Sequence, residues 1–138
     1  MKLKTIFRSI LLENILQDVD SMIFYHGTNA DKEWEDLKIQ STAGDYGEGL
    51  YLTTNRRYAE RHGNRLLSGK VDPKRPVLIG SKEYNEDIYP EIANGGVPTM
   101  WRCSEIARKK GYDSIVIDRN IDDIWIVLLE NGLLRSIK

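Results

Sequence analysis

The sequence predicts an α+β domain with a mainly antiparallel sheet and helices packed around it. Three observations carry that expectation. Two β-branched runs, residues 114–117 and 124–129, lie close together late in the chain. Helical spacing is confined to the first 20 residues and to segments that end at turn signals. Asn131-Gly132 then supplies the strongest two-residue hairpin signal, with residues 133–137 as the returning strand.

Element by element, Leu3, Ile6, Phe7, Ile10, Leu11, Ile15 and Val19 recur at helical spacing, which makes residues 1–20 an amphipathic helix packed on the core. Arg8, Glu13 and Asn14 interrupt the apolar stretch, so it does not read as a secretion signal. Residues 22–25 form a short apolar strand that runs into His26-Gly27-Thr28. Residues 31–37 are expected as a short helix carrying Trp34, and 41–49 as a glycine-rich loop. Residues 50–52 make a strand, after which Thr53-Thr54-Asn55 caps a helix reaching to about His62. Pro73 and Pro76 bracket a turn before a strand at 77–79, and 83–93 reads equally as helix or loop before Asn94-Gly95-Gly96. Thr99 caps a further helix through Trp101, Cys103, Ile106 and Ala107, which ends in Arg108-Lys109-Lys110 and stops at Gly111.

Composition sets the functional frame. A chain of 138 residues, 41% hydrophobic and 30% charged, is one globular domain rather than a disordered segment. With 20 basic and 21 acidic residues, there is no net attraction to nucleic acid. Arg56, Arg57, Arg61 and Arg65 read as a solvated helix face. The lone Cys103 has no disulfide partner, no spacing offers a zinc site, and no apolar run spans a bilayer. These features point to a reducing cytoplasm, no membrane and no metal.

Motifs of hydrolases and nucleotide-binding loops are missing. The two histidines, His26 and His62, have no local Ser-His-Asp or Cys-His signature. Gly44, Gly47 and Gly49 lack the spacing of a phosphate loop or dinucleotide fingerprint. They state only that backbone turns sharply or approaches something closely.

In chain order, three segments carry a resemblance: Phe24-Tyr25-His26-Gly27-Thr28, then Gly47-Glu48-Gly49-Leu50-Tyr51-Leu52-Thr53, then Tyr58-Ala59-Glu60-Arg61-His62. Together they resemble the ADP-ribosyltransferases of the His-Tyr-Glu type, a group that includes poly(ADP-ribose) polymerases and diphtheria-like toxins. Gly111-Tyr112-Asp113-Ser114-Ile115-Val116-Ile117 and the strand from Trp125 to Leu129 fall where that family has its late strands. The resemblance covers residues 22–138 and implies a split, mainly antiparallel sheet of the ADP-ribosyltransferase type, with residues 1–20 as an added N-terminal helix.

It also implies NAD as the ligand and assigns roles. His26 matches the residue that hydrogen-bonds the adenosine-side ribose, and Gly27 the backbone that grips the carboxamide, with Thr28 and Gly49 in the same two binding segments. Tyr51 matches the tyrosine stacked on nicotinamide, and His62 falls where a second stacking tyrosine is usual. Ala59 stands where many relatives have a serine. The family's glutamate aligns with Trp125. Asp123 shares a strand face with Trp125, Val127 and Leu129, and is therefore chosen over Asp122 as the functional carboxylate. The implied activity is mono-ADP-ribosylation of a macromolecule, with a protein acceptor favoured over nucleic acid, by a bacterial toxin or a phage counter-defence protein. The alternative is an inactive module of the same fold that binds a partner or an ADP-ribose-type ligand. An RNA 2'-phosphotransferase ranks third, since no phosphate-gripping arginines are evident.

Overall fold

The computed structural model describes residues 14–39, 44–94, 99–120 and 123–137. It is a mixed α+β domain around a seven-stranded sheet in the order β4-β5-β6-β2-β1-β3-β7. The strands are β1 (Phe24–Thr28), β2 (Leu50–Thr53), β3 (Arg65–Val71), β4 (Pro76–Leu78), β5 (Ser114–Asn120), β6 (Asp123–Leu128) and β7 (Leu134–Arg135). Every pairing is antiparallel except β4 with β5. The helices are α1 (14–18), α2 (Arg56–Glu60), α3 (Lys82–Asp87), α4 (Tyr89–Ala93) and α5 (Cys103–Lys109).

Two apolar clusters clamp the sheet from opposite faces. One gathers Phe24, Leu52, Val71, Val116, Ile126 and Leu128, with Ile15 and Leu16 of α1 packed on it. The other gathers Ile88, Ile92, Ile106, Ile115, Trp125 and Val127 beneath α3–α5. Alternation along β6 explains the division: Ile124, Ile126 and Leu128 point one way, Trp125 and Val127 the other. Residues 1–13 lie outside the described residues, so the expected 1–20 helix is visible as α1 and a 3-10 turn over Val19–Ser21.

One junction in the sheet differs from the rest. β1 pairs with β3 over five residues and β2 pairs with β6 over four. β1 and β2 share a single register pair, Tyr25 with Thr53. The sheet thus divides between β1 and β2, and the strands diverge beyond that one contact.

Several elements depart from expectation for identifiable reasons. β3 had no counterpart in the sequence reading, because its inward face carries Leu67, Gly69 and Val71, two apolar side chains separated by a glycine. Gly69 is there because the indole of Trp34 lies directly over it, its Nε1–H donating to Lys70 O at 3.1 Å. Trp34 sits in a 3-10 turn, Trp34–Asp36, rather than in the helix expected at 31–37. Asn131-Gly132 turns the chain, with Gly132 at φ +90°, yet forms no hairpin. β7 instead crosses to pair with β3 at the far edge, and Asn131 Oδ1 accepts from Ile39 N–H at 3.0 Å. Tertiary pairing outweighed the local hairpin preference.

Residues 83–93 resolve into α3, capped by the Ser81 hydroxyl accepting from Tyr84 N–H, and α4. Thr99 makes no side-chain cap, and α5 is entered through a 3-10 turn at Met100–Arg102. Gly111 ends α5 at φ +87°, as expected. Cys103 is buried, and desolvation pushes its thiol up to about 12, which disfavours the thiolate.

The Trp34–Gly69 contact yields a test. Gly69→Ala drives a methyl group into the indole, and overpacking of this kind costs ~1–3 kcal/mol. A urea titration should show a lower midpoint with an unchanged slope. An unchanged midpoint would mean that Trp34 moves aside freely.

Candidate functional site

The split between β1 and β2 opens a pocket of about 480 Å³. Its walls come from β1, the Gly44–Gly47 turn, β2, α2 and Trp125 of β6. The volume is within the roughly 300–1,000 Å³ of small-ligand sites. His26, Gly27, Thr28, Tyr51, Ala59 and His62, singled out from sequence, all line it. Gly49 and Asp123 do not belong to the lining.

His26 spans the divide. Its Nδ1 lies 3.0 Å from Tyr51 O. A carbonyl can only accept, so Nδ1 carries the hydrogen and donates, which leaves Nε2 of the neutral ring as an acceptor for a ligand hydroxyl. Burial lowers the His26 pKa; the bond to Tyr51 O opposes this in part, and His62 adds a smaller lowering. The ring is thereby held in the neutral, accepting form.

Tyr51 is fixed at both ends. Its backbone carbonyl receives His26, while its hydroxyl accepts from Tyr46 N–H at 2.9 Å and donates to Gly47 O at 2.7 Å. The Gly44–Gly47 turn is closed by two backbone hydrogen bonds of 3.0 Å and lies against the Tyr51 ring, where a Cβ on Gly44 would come within 2.5 Å of Cζ. This accounts for one of the glycines that sequence alone left unassigned. Gly49 has a different reason: a Cβ there would strike Val127 and come within 3.0 Å of Leu128 O, so β2 needs it to lie against β6. Burial raises the Tyr51 phenol pKa, keeping it protonated.

α2 forms the roof. Asn55 Oδ1 caps it by accepting from Tyr58 N–H at 3.0 Å. Buried Ala59 brings its carbonyl against Gly27 so closely that any side chain at 27 would collide with it. His62, just past the helix, donates from Nδ1 to Tyr58 O at 2.9 Å and rests on the Tyr58 ring with centroids 4.6 Å apart. Tyr58 continues to Trp125 at 5.2 Å, and Trp125 meets Tyr51 edge-on at 6.5 Å. His62, Tyr58, Trp125 and Tyr51 thus form a continuous row of rings along the pocket. Tyr58 and Trp125 were not recognised as binding residues from sequence. The signal for Tyr58 was its i, i+4 relation to His62 on one helix face.

Asp123 opens β6 on the Trp125 face, as strand alternation requires, and its Oδ1 accepts from the Thr53 hydroxyl at 3.0 Å. Asp122 lies outside the described residues. Arg119, at the irregular register of β5 between Asp118 and Asn120, lays its guanidinium 4.1 Å from the Trp125 ring centroid. The Trp125 Nε1–H is buried without a hydrogen-bond partner among the described residues.

The arginine patch expected on a single helix face is dispersed. Arg56 pairs with Glu60 at 2.9 Å, and Arg65 belongs to β3, where it pairs with Asp31 and Glu33. No described helix is long and apolar enough to cross a membrane, and no group of three or more potential metal ligands exists among the described residues.

His26 makes the fold sensitive to pH. Its folded pKa lies below the ordinary 6.5, so on acidification the unfolded chain takes up the proton first. This contribution is constant above about pH 6.5 and is lost as pH falls toward the folded pKa. Thermal melts from about pH 7.5 down to pH 5 should show a decline in Tm that is shallower in His26→Gln. Parallel slopes would remove His26 as the cause.

No protein-family model and no curated protein matches the chain. Among solved structures, the crystal structure of an anti-CRISPR protein aligns with 17% sequence identity over 86% of this chain and 98% of that chain, at a TM-score of 0.46.

Proposed function

We propose that this chain binds NAD in the pocket between β1 and β2 and transfers its ADP-ribosyl group to a macromolecular acceptor, with a protein favoured. One observation carries the reading: the His-Gly-Thr segment and Tyr51 of the Gly-Leu-Tyr segment line one pocket and are joined there by the His26–Tyr51 hydrogen bond. The lining also suits the nicotinamide end of such a ligand. The Tyr51 ring is an anchored flat surface, the exclusion of a side chain at Gly27 leaves its backbone open to close approach, and His26 Nε2 accepts from a ribose hydroxyl. The sheet divided at β1 and β2 agrees with the split sheet that the family resemblance implies.

Bound NAD supplies an ADP-ribosyl group and neutral nicotinamide as the leaving group. The work of this chain is to hold ring and ribose in fixed relation and to favour positive charge on the ribose. Asp123 is the carboxylate assigned to that electrostatic role, and the bond from Thr53 fixes its orientation at the start of β6.

A second reading rests on a specific observation. Trp125, which aligns with the glutamate of the family that the sequence resembles, lines the pocket, and Asp123 stands outside the lining. In this reading the site binds its ligand without cleaving it, and the chain is a binding module for an ADP-ribose-type compound or partner.

Release of nicotinamide from NAD, followed by chromatography, separates the two readings. His26→Ala should abolish most of the release in the enzyme reading. Tyr51→Phe keeps the stacking ring and loses the bonds to Tyr46 and Gly47, so it should retain more activity than Tyr51→Ala. Near-native turnover in both His26→Ala and Tyr51→Ala would refute catalysis at this pocket.

Asp123→Asn should lower kcat by about tenfold or more with little change in KM, because its interaction grows in the transition state. Unchanged kcat would remove Asp123 from the mechanism. Calorimetric NAD binding without nicotinamide release from the native chain would establish the binding module.

A further inference from the structure

Among the described lining residues the charge is one-sided, with the Arg119 guanidinium over the Trp125 ring as the cation nearby. Asp45, at the tip of the Gly44–Gly47 turn, is the one carboxylate among the described lining residues, and neither lysine nor arginine lines the pocket. The rings of Tyr51, Tyr58 and His62 line the same pocket. Trp125 adds an edge, since Arg119 already lies over its ring. Electron-rich ring faces and a nearby carboxylate attract a delocalised cation and give nothing comparable to a neutral ring of the same shape.

Asp45 has an exposed side chain on a fixed stretch of backbone. The turn that carries it is closed by the paired Gly44 and Gly47 hydrogen bonds and is fastened to the Tyr51 hydroxyl through Tyr46 N–H and Gly47 O. Any lengthening of the side chain at 44 would strike the Tyr51 ring. The ring wall and the backbone that carries Asp45 are therefore one unit, built on Tyr51.

We propose that Asp45 is a specificity residue: with the Tyr51 and Tyr58 rings it makes the pocket select a planar cationic ring, the oxidised pyridinium of NAD, over the uncharged dihydropyridine of its reduced form. The inference rests on the reading of this pocket as a nicotinamide site.

The experiment is a calorimetric comparison of oxidised and reduced dinucleotide, together with the N1-methylnicotinamide cation and neutral nicotinamide. The native chain should bind the oxidised form about tenfold more tightly than the reduced form, the scale expected of one carboxylate and two ring faces at a partly exposed site. Asp45→Asn should cut that preference to about threefold or less while changing affinity for the reduced form less than about twofold, which also shows that the variant is folded. Equal binding of the two forms by the native chain, or a full preference surviving in Asp45→Asn, overturns the inference and leaves the nicotinamide site intact. If neither dinucleotide binds but the small cation outcompetes nicotinamide in an Asp45-dependent manner, cation selection stands and the dinucleotide reading falls. If nothing binds, both fall.

Discussion

The division of the sheet at Tyr25 and Thr53 governs the rest of the molecule. Two strands that diverge after one register pair leave backbone donors and acceptors without ladder partners, and such groups must be satisfied some other way when partly buried. Here the His26 imidazole takes one of them, the Tyr51 carbonyl, so a side chain continues a ladder that backbone has abandoned. The same divergence creates the concavity, and the same bond sets the tautomer of the ring that faces it. Fold and site are therefore coupled at one residue.

Rigidity spreads outward from Tyr51. One end of the side chain is fixed by its strand, the other by the Gly44–Gly47 turn, and its ring faces Trp125. Trp125 then supports Tyr58, which supports His62. Each ring is positioned by its neighbour, so the pocket wall is preorganised before any ligand arrives and less ordering cost falls on binding. The helix that contributes Tyr58 and His62 is only five residues long, and a helix this short is not stable alone. Its Asn55 cap and the fit of Gly27 under Ala59 hold it on the sheet.

Much of this was legible in the sequence where the signal was local. The strands at β2, β5 and β6, the Asn55 cap and the end of α5 at Gly111 follow from residue types at short spacing, whereas the grouping of His26, Gly27, Tyr51, Ala59 and His62 was implied by the resemblance to a known family. What escaped depended on contacts between distant segments. β3 was invisible because the inward position at Gly69 is filled by Trp34, a residue from another element. The Asn131-Gly132 signal was real as a turn but misleading as a hairpin, because residues 134–135 found a better partner in β3. Asp45 escaped because nothing in a polar loop tells which residue faces a cavity. Asp123 was placed on the correct strand face by alternation, while its bond to Thr53 required knowing that β2 lies beside β6.

That last adjacency also bears on how the chain reaches its native state. The strand that carries Tyr51 finds its main partner in β6, and the Thr53–Asp123 contact closes a separation of 70 residues. Long closures must be paid in chain entropy before any pairing returns energy, which slows folding. β1 and β3 are near in sequence and can associate early, whereas β2 must wait until β6 has left the ribosome. During synthesis the half that bears His26 therefore exists before the half that bears Tyr51 is anchored. The pocket is therefore completed only after β6 has been synthesised.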